Sequence, residues 1–198
     1  QYIEGTAWQH SFFVPHDVSG LAKLYGSNAK LIAKLDTLFT TTSELHGEIV
    51  SADVSGLIGQ YAHGNEPSHH IAYMYTVLGQ PQKTAQRIRT ITDSLYKLGP
   101  DGLSGNDDCG QMSAWLVWSA LGMYPMNPAS GEYVFGFPLV NSAQLQLPNG
   151  KKLTIRTKKA SAKPSRIASV KFNNKLIPVR SIKHTDLLKG GVLEYVLN

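Results

Sequence analysis

Several features that identify common protein classes are scarce or absent in this sequence. It contains one cysteine, Cys109, so an internal disulfide and a cysteine-based zinc site are both excluded. No apolar run approaches the roughly 18–20 residues that a membrane-spanning helix needs. The first residues lack the charged and then hydrophobic segments of a signal peptide, and neither common glycine-rich phosphate loop occurs. Because 42% of the residues are apolar and only 17% are charged, the composition is that of a globular protein.

Acidic residues are scarce in the last third of the chain. The formal net charge is +5, and after residue 132 only Asp186 and Glu194 oppose many lysines and arginines. Such a basic surface can attract nucleic acid, but these cations are scattered among strand-like residues without interleaved aromatics. We therefore expect a solvated sheet face and no nucleic-acid partner. Nearly all acidic groups, and all histidines except His184, precede residue 133, so the chemistry is expected there.

The apolar spacing is helical up to about residue 130 and strand-like after Pro125. It predicts helices at Asn28–Phe39, Pro67–Leu78, Pro81–Leu98 and Gly110–Leu121. Short strands are expected at Glu132–Phe137, Ala143–Leu147, Lys152–Thr157, Ile167–Phe172 and Val192–Leu197. Asn149-Gly150 is a hairpin signal between two of these strands, and Asn173-Asn174 marks another turn.

The helix order predicts that two polar loops share one end of the helical layer. Gly79-Gln80 is so short a link that the helices on either side must run antiparallel. If the helix from Gly110 returns beside the first of them, the loops before Pro67 and Gly110 open at the same end. Helices that alternate in this way, with polar loops on every second connection, suggest an α/α toroid with a site at one mouth.

Residues 63–70, His-Gly-Asn-Glu-Pro-Ser-His-His, form the densest polar motif. A helix cap would explain one of these residues, Asn65 or Glu66, but not the whole set. Zinc bound through His63 and His69 or His70 is an alternative, although no clear third ligand accompanies them. Carboxylate and amide oxygens better suit calcium, which takes about 6–8 oxygen ligands. The motif therefore predicts a functional site.

Two adjacent carboxylates, Asp107 and Asp108, precede the helix from Gly110. They can simply favour the positive end of that helix, an effect worth about 0.3–1 kcal/mol. Alternatively, one aspartate acts on a substrate while the other orients water, substrate or metal. The flanking glycines let the backbone approach a ligand. We expect at least one of the two aspartates to be catalytic, and which of them stays open.

Glu4 lies near Trp8 and Gln9 at the start of the chain. Aromatic faces stack on sugar rings while carboxylates and amides bind hydroxyl groups, so the segment fits a sugar site. A buried aromatic cluster with Glu4 at a helix start would explain the same residues. Cys109 has no obvious activating partner for nucleophilic chemistry. Three separated acidic motifs and two tryptophan-bearing segments therefore point to glycoside hydrolysis.

Together these motifs resemble glycoside hydrolase family 92, the calcium-dependent exo-α-mannosidases. The resemblance spans about residues 2–145 and weakens in the basic C-terminal strands. It is carried by Glu4-Gly-Thr-Ala-Trp-Gln-His10, Phe13-Val-Pro-His-Asp-Val18, Gly64-Asn-Glu-Pro-Ser-His-His70, Gly105-Asn-Asp-Asp-Cys-Gly-Gln-Met-Ser-Ala-Trp115 and Ser119-Ala-Leu-Gly-Met-Tyr-Pro125.

The resemblance implies a role for each matching residue. Glu4 would be the general acid, and the Asp107–Asp108 loop would supply the general base of an inverting reaction. The substrate would be terminal α-linked mannose, with the α-1,2 linkage expected before others, as in N-glycan degradation. Calcium would help to bind and distort the sugar. Asn65 and Glu66 would contact the metal or the sugar. The sugar-binding shell would include Trp8, Gln9, His69, His70 and Gln111.

The resemblance also implies a fold and a missing part. Family members have an N-terminal β-sandwich followed by an (α/α)6 toroid. Residues 1–130 would be the C-terminal half of that toroid, and residues 131–198 a β-rich region of short antiparallel strands packing on it. We expect the sandwich and the first half of the toroid to lie outside this chain, which would be inactive alone. Export to the periplasm or cell exterior is implied by the family only. Two rivals are a non-catalytic carbohydrate-binding module and a structural half-domain.

Overall fold

Helices occupy the first part of the chain and strands the second, as predicted. The computed structural model describes residues 2–46 and 51–198. Its helices are α1 (Ala7–His10), α2 (Val18–Leu24), α3 (Asn28–Thr40), α4 (Ile71–Val77), α5 (Pro81–Leu95), α6 (Gln111–Ala120) and α7 (His184–Leu187). Its strands are β1 (Leu57–Ile58), β2 (Tyr61–Ala62), β3 (Met123–Tyr124), β4 (Glu132–Phe135), β5 (Ser142–Gln146), β6 (Lys152–Lys159), β7 (Ile167–Phe172), β8 (Lys175–Ile177), β9 (Ser181–Lys183) and β10 (Gly191–Leu197). Within the described residues, no helix has the length and apolar character needed to cross a membrane.

The second and third predicted helices are shorter than expected. The prediction that the second begins at Pro67 is wrong, because Glu66–Ser68 form a 3-10 turn and α4 begins only at Ile71. The third ends at Leu95, since Tyr96 is extended and the Lys97 N–H bonds to the Gly102 carbonyl instead of continuing the helix. Leu98 is consequently fully exposed and not part of the apolar face.

Helices α4 and α6 lie side by side and run in the same direction. Gln111 at the start of α6 donates to His69, just before α4, while Tyr73 within α4 bonds Ser119 near the end of α6 at 2.7 Å. The two helices therefore run parallel, and the loops that precede them lie at the same end, as predicted. The complete toroid stays a prediction.

The C-terminal strands form a five-stranded sheet in the order β5-β6-β10-β7-β8. Asn149-Gly150 joins antiparallel β5 and β6, and Asn173 and Asn174 turn between β7 and β8 with φ values of 49° and 65°, so both predicted turns are confirmed. The prediction of antiparallel strands is wrong for β6 and β10, which pair in parallel. The long connection between these two strands allows the chain to return in the same direction.

A smaller sheet, β3-β4-β9, separates two hydrophobic cores. Tyr124 and Val134 face a core built around α3, α4 and Trp115. Their neighbours Met123 and Phe135 face a second core under the five-stranded sheet. Because alternate residues of a strand point to opposite faces, β3 and β4 contribute to both cores. The helical region, which carries the acidic motifs, is thereby fixed against the C-terminal sheet.

Replacing Leu193 by Ala should lower the free energy of unfolding by about 2–5 kcal/mol, because this side chain is 0% exposed in the central strand β10. Leu176→Ala is the matched control, since Leu176 is 70% exposed on the edge strand β8 and its loss should change stability by no more than about 0.5 kcal/mol. Urea titrations of both variants measure the difference. Equal losses would contradict the assignment of β10 to the core.

Candidate active site

The segment around Glu4 is held in a fixed shape by short-range hydrogen bonds. Thr6 caps α1 by accepting the Trp8 N–H at 3.2 Å, and the Gln9 side chain accepts from the Thr6 N–H in return. His10 donates to the Glu4 carbonyl. The Glu4 backbone is therefore fixed by α1, while its carboxylate stays exposed beside the next loop.

Asn65 connects the Glu4 segment to the second motif. Its side chain is 7% exposed and donates to the Glu4 carboxylate at 3.4 Å. Although Asn65 precedes the 3-10 turn at Glu66–Ser68, its side chain makes no capping bond to that turn. The cap interpretation of this asparagine is therefore wrong, and its amide faces the acidic group instead.

The third motif forms a turn with unusual backbone angles. Asp108 and Cys109 have φ values of 47° and 59°, and Gly110 follows at 90°. Two successive non-glycine residues in the left-handed region are uncommon and strained. Asp107 holds one end of the turn, because its carboxylate accepts the Ser113 N–H at 2.9 Å and the Ser113 hydroxyl at 3.1 Å. Asp108 is exposed, and its negative charge acts on Glu66 in the second loop.

The second and third loops touch through glycine backbone. A Cβ on Gly105 would lie 2.9 Å from the Gly64 Cα, and a Cβ on Gly64 would lie 2.0 Å from the Ser55 hydroxyl oxygen. Larger residues would force the loops apart. The three predicted acidic motifs are therefore brought together at one end of the helical layer.

The meeting of these loops changes the acidity of Glu66. Its pKa is raised above the ordinary glutamate value, first by desolvation and then by the negative charges of Asp108 and Glu4, while its own backbone N–H opposes the shift. A bound proton or a cation relieves the repulsion between such neighbouring carboxyl groups. The site thus favours a bound proton at Glu66 or a positively charged ligand.

The predicted shell histidines are buried and bonded within the protein. His69 donates from Nε2 to the His63 carbonyl at 2.9 Å and accepts at Nδ1 from Gln111 at 3.2 Å. His70 donates to the Phe12 carbonyl at 2.7 Å. Burial lowers the pKa of both imidazoles, that of His70 to about 4, so both are neutral at pH 7. His69 and Gln111 link the second and third loops, whereas His70 anchors the segment after α1.

Trp8 and Gln9 contact Lys34 and Gln60, respectively. The Lys34 ammonium sits 3.9 Å from the centroid of the half-buried Trp8 ring, so one face of that ring is covered. Gln9 is buried, and its amide donates to the Gln60 carbonyl as well as completing the cap of α1. Their sugar-binding roles, like those of His69, His70 and Gln111, stay predictions.

The structure also pairs His63 with Tyr96, a residue that sequence reasoning missed. His63 is fully buried, with Tyr61 at its Nδ1 (2.8 Å) and Tyr96 at its Nε2 (2.7 Å), so neither ring nitrogen is free for the zinc alternative. Burial lowers the pKa of His63 to about 2. In the part of the chain that the structure describes, no group of three or more His, Cys, Asp or Glu side chains is arranged to hold a metal. Tyr96 lies 33 positions from His63, and no local sequence signal links them.

Replacing Glu66 by Gln should stabilise the protein at neutral pH when a chelator is present. A carboxyl whose pKa is raised on folding ionises earlier in the unfolded chain, so wild-type stability falls as pH rises through that window. The melting temperature of the variant should therefore match wild type near pH 3 and exceed it at pH 7. Glu44→Gln, at an exposed carboxylate 3.9 Å from His46, is the control and should give no such gain. A pH-independent difference would contradict the proposed crowding of charges.

Comparison with known proteins gives one family for the whole chain. The family model described as glycosyl hydrolase family 92 catalytic domain matches residues 1–198. An uncharacterized secreted glycosidase of Arthroderma benhamiae is 30% identical over 197 residues, which are 98% of this chain and 23% of that protein.

Solved structures give the same result. A family 92 α-mannosidase from Bacteroides thetaiotaomicron, in complex with mannoimidazole, is 39% identical with a TM-score of 0.89 over 98% of this chain and 25% of its own. A family 92 inverting mannosidase from the same organism is 35% identical with a TM-score of 0.84 over 100% of this chain and 28% of its own. The chain thus spans about a quarter of the length of these relatives. Since the family model covers every residue, this chain belongs to glycosyl hydrolase family 92.

Proposed function

We propose that this chain is the C-terminal part of the catalytic domain of an α-mannosidase that releases terminal α-linked mannose with inversion. One observation carries the proposal: Glu4, Asn65–Glu66 and Asp107–Asp108 come from distant parts of the chain and meet at one end of the helical layer. Separate helix ends would have no reason to converge in this way. The family relatives described as α-mannosidases, one of them as inverting, support the substrate and the stereochemistry.

Glu4 is the proposed general acid. Its carboxyl is exposed, so a glycosidic oxygen can reach it, and Asn65 donates to it at 3.4 Å from a buried position. The amide fixes one carboxyl oxygen and leaves the other to carry the proton. General acid catalysis by such a positioned carboxyl contributes about 10²–10⁴-fold to rate.

Asp108 is the proposed general base, and Asp107 is its anchor. Both carboxylate oxygens of Asp107 are engaged by Ser113 at the start of α6. Asp108 is exposed and turned by its left-handed backbone towards the Glu66 side of the site. The strained turn thus separates two roles, since one aspartate holds the helix and its neighbour is exposed beside Glu66.

The proposed reaction is a single displacement. Glu4 gives its proton to the leaving oxygen as the bond from that oxygen to the anomeric carbon breaks. Water attacks the anomeric carbon from the opposite face of the sugar ring, and Asp108 takes the proton that this water loses. Inverting enzymes keep the two carboxyl groups about 6.5–9.5 Å apart to leave space for the water.

We propose that the site binds calcium, with Glu66 and Asn65 as protein ligands. The donors fit a hard cation in type, because they are carboxylate and amide oxygens, and a cation beside Glu66 would relieve the repulsion from Asp108 and Glu4. Two protein ligands leave most of the roughly 6–8 positions of calcium to water and sugar hydroxyls. When bound, the ion would bind mannose hydroxyls and favour a flattened ring.

The rest of the enzyme is proposed to complete the fold. An N-terminal β-sandwich and the first half of an (α/α)6 toroid would pack on residues 1–130, with residues 131–198 as a β-rich region. Val117 on α6 is 57% exposed, and its neighbours Ser113 and Ala114 on the same helix are exposed too, which gives the missing helices a face to cover. The secreted glycosidase relative supports periplasmic or extracellular location.

Glu4→Gln should lower kcat on α-1,2-mannobiose by about 10²–10⁴-fold in the protein expressed with the segments that precede this chain in its gene. NMR of the first product should show the β-anomer. A carbohydrate-binding module would keep its mannose affinity in this variant and release no sugar in either form, whereas a structural half-domain would bind no mannose. Either result would end the proposal, and retention of configuration would end the inverting mechanism.

Asp108→Asn should reduce kcat by a similar factor, because an amide cannot take the proton from water. Asp107→Asn is the matched control, since asparagine can still accept the Ser113 N–H at the start of α6, and it should lose much less activity. Steady-state kinetics of both variants provide the test. A larger loss for Asp107→Asn would reverse the assignment of base and anchor.

EDTA should lower mannose release, and added calcium should restore it. Calcium at 100 times its Kd should also stabilise the wild-type protein by about 2.7 kcal/mol. This stabilisation, measured by thermal unfolding, should be lost in Glu66→Gln and kept in Glu44→Gln. If neither EDTA nor calcium changed the activity or the melting temperature, the proposed role of the metal would be contradicted.

A further inference from the structure

A buried chain of hydrogen bonds connects the second motif with the third. We call Tyr61, His63, Tyr96 and the Met112 carbonyl the His63 relay. The contacts are 2.8 Å from the Tyr61 hydroxyl to His63 Nδ1, 2.7 Å from His63 Nε2 to the Tyr96 hydroxyl, and 3.1 Å from that hydroxyl to the Met112 carbonyl. Tyr61 and His63 are fully buried, and Tyr96 is half-buried.

The chemistry of the last acceptor fixes the direction of every bond in the relay. The Met112 carbonyl can only accept, so Tyr96 donates its single hydroxyl proton there. The Tyr96 oxygen must then accept from His63 Nε2–H. A neutral imidazole carries one N–H, so Nδ1 accepts from Tyr61. All donors are used once, and reversing one bond would leave a buried group unpaired, which is unfavourable.

The relay ends at the turn that carries the two aspartates. Met112, whose carbonyl accepts from Tyr96, donates its own N–H to the Asp107 carbonyl at 3.3 Å. At the other end, His63 lies two residues before Asn65. The relay therefore spans the distance between the Asn65–Glu66 loop and the Asp107–Asp108 turn.

The turn needs support beyond its own backbone bonds, in which the Met112 and Gln111 N–H groups donate to the Asp107 and Asp108 carbonyls at 3.3 Å each. Asp108 and Cys109 both lie in the left-handed region and are exposed, and strained backbone persists only where surrounding contacts determine it. Asp107 and Ser113 hold the turn from outside, on the side of α6. Tyr96 holds it from the buried side, through the first turn of that helix.

We infer that Tyr96, oriented by His63, is a positioning residue for the Asp107–Asp108 turn. The inference rests on the proposed function, because the turn matters to a reaction only if one of its aspartates is the base. Tyr96 touches no reacting atom in this scheme. Its loss should therefore act on the placement of Asp108, and so on kcat, and much less on the affinity for mannose.

Tyr96→Phe and Tyr73→Phe form a matched pair that tests this inference. Each removes one tyrosine hydroxyl and keeps the ring, so Tyr96 retains its stacking on Trp115 at 5.9 Å. The Tyr73 hydroxyl bonds Ser119, away from both loops. In the enzyme expressed with its preceding segments, Tyr96→Phe should lower kcat on α-1,2-mannobiose by about 10–100-fold with KM within about threefold. Tyr73→Phe should keep kcat within about threefold of wild type.

Hydrogen exchange gives a readout that does not depend on activity. Amides of residues 107–113 should exchange faster in Tyr96→Phe than in wild type, and at the wild-type rate in Tyr73→Phe. Equal kcat losses in the two variants, a loss confined to KM, or unchanged exchange in that segment would each overturn the inference. A wild-type enzyme that releases no mannose would instead overturn the proposed function, and the inference with it.

Discussion

The close approach of Gly64 and Gly105 is the constraint on which the candidate site depends. These two residues precede the acidic parts of the second and third loops, and a side chain on either would overlap the opposite loop or Ser55. Their contact brings Glu66 close enough to Asp108 for the two charges to interact. The parallel course of α4 and α6 carries the two loops to the same end of the layer. The loops can approach closely only because Gly64 and Gly105 have no Cβ atom.

Bringing carboxyl groups together has an electrostatic consequence that shapes the chemistry. Crowding raises the proton affinity of Glu66, and the same field would attract a divalent cation. The surrounding polar groups do not neutralise it, because burial keeps His63, His69 and His70 uncharged at pH 7. These neutral histidines instead hold neighbouring segments together through hydrogen bonds. The negative charge is left for a proton or a metal ion to compensate.

Local signals predicted local structure well. Asn149-Gly150 and Asn173-Asn174 each turn where the sequence indicates, because the left-handed backbone of such turns depends on the residues in them. The errors arise where distant contacts decide. Pro67 looks like a helix start, yet a 3-10 turn at this point aims Asn65 at Glu4. The parallel pairing of β6 with β10 follows from a long connection that no short pattern encodes.

The candidate site shows the same division between local and distant determinants. Carboxylates, amides and histidines could be picked out by their density in the sequence. The order of the helices predicted that the second and third loops meet, whereas only the family resemblance placed Glu4 with them. The role of each residue could not be predicted from the sequence, since Asp107 and Asp108 are neighbours with the same chemistry. Only the contact with Ser113 separates the anchored carboxylate from the exposed one. Tyr96 carried no signal at all, because its importance lies in two bonds, to His63 and to the Met112 carbonyl, that join separate parts of the chain. A buried polar group that bridges two functional loops is therefore found from structure, by following each donor to its acceptor.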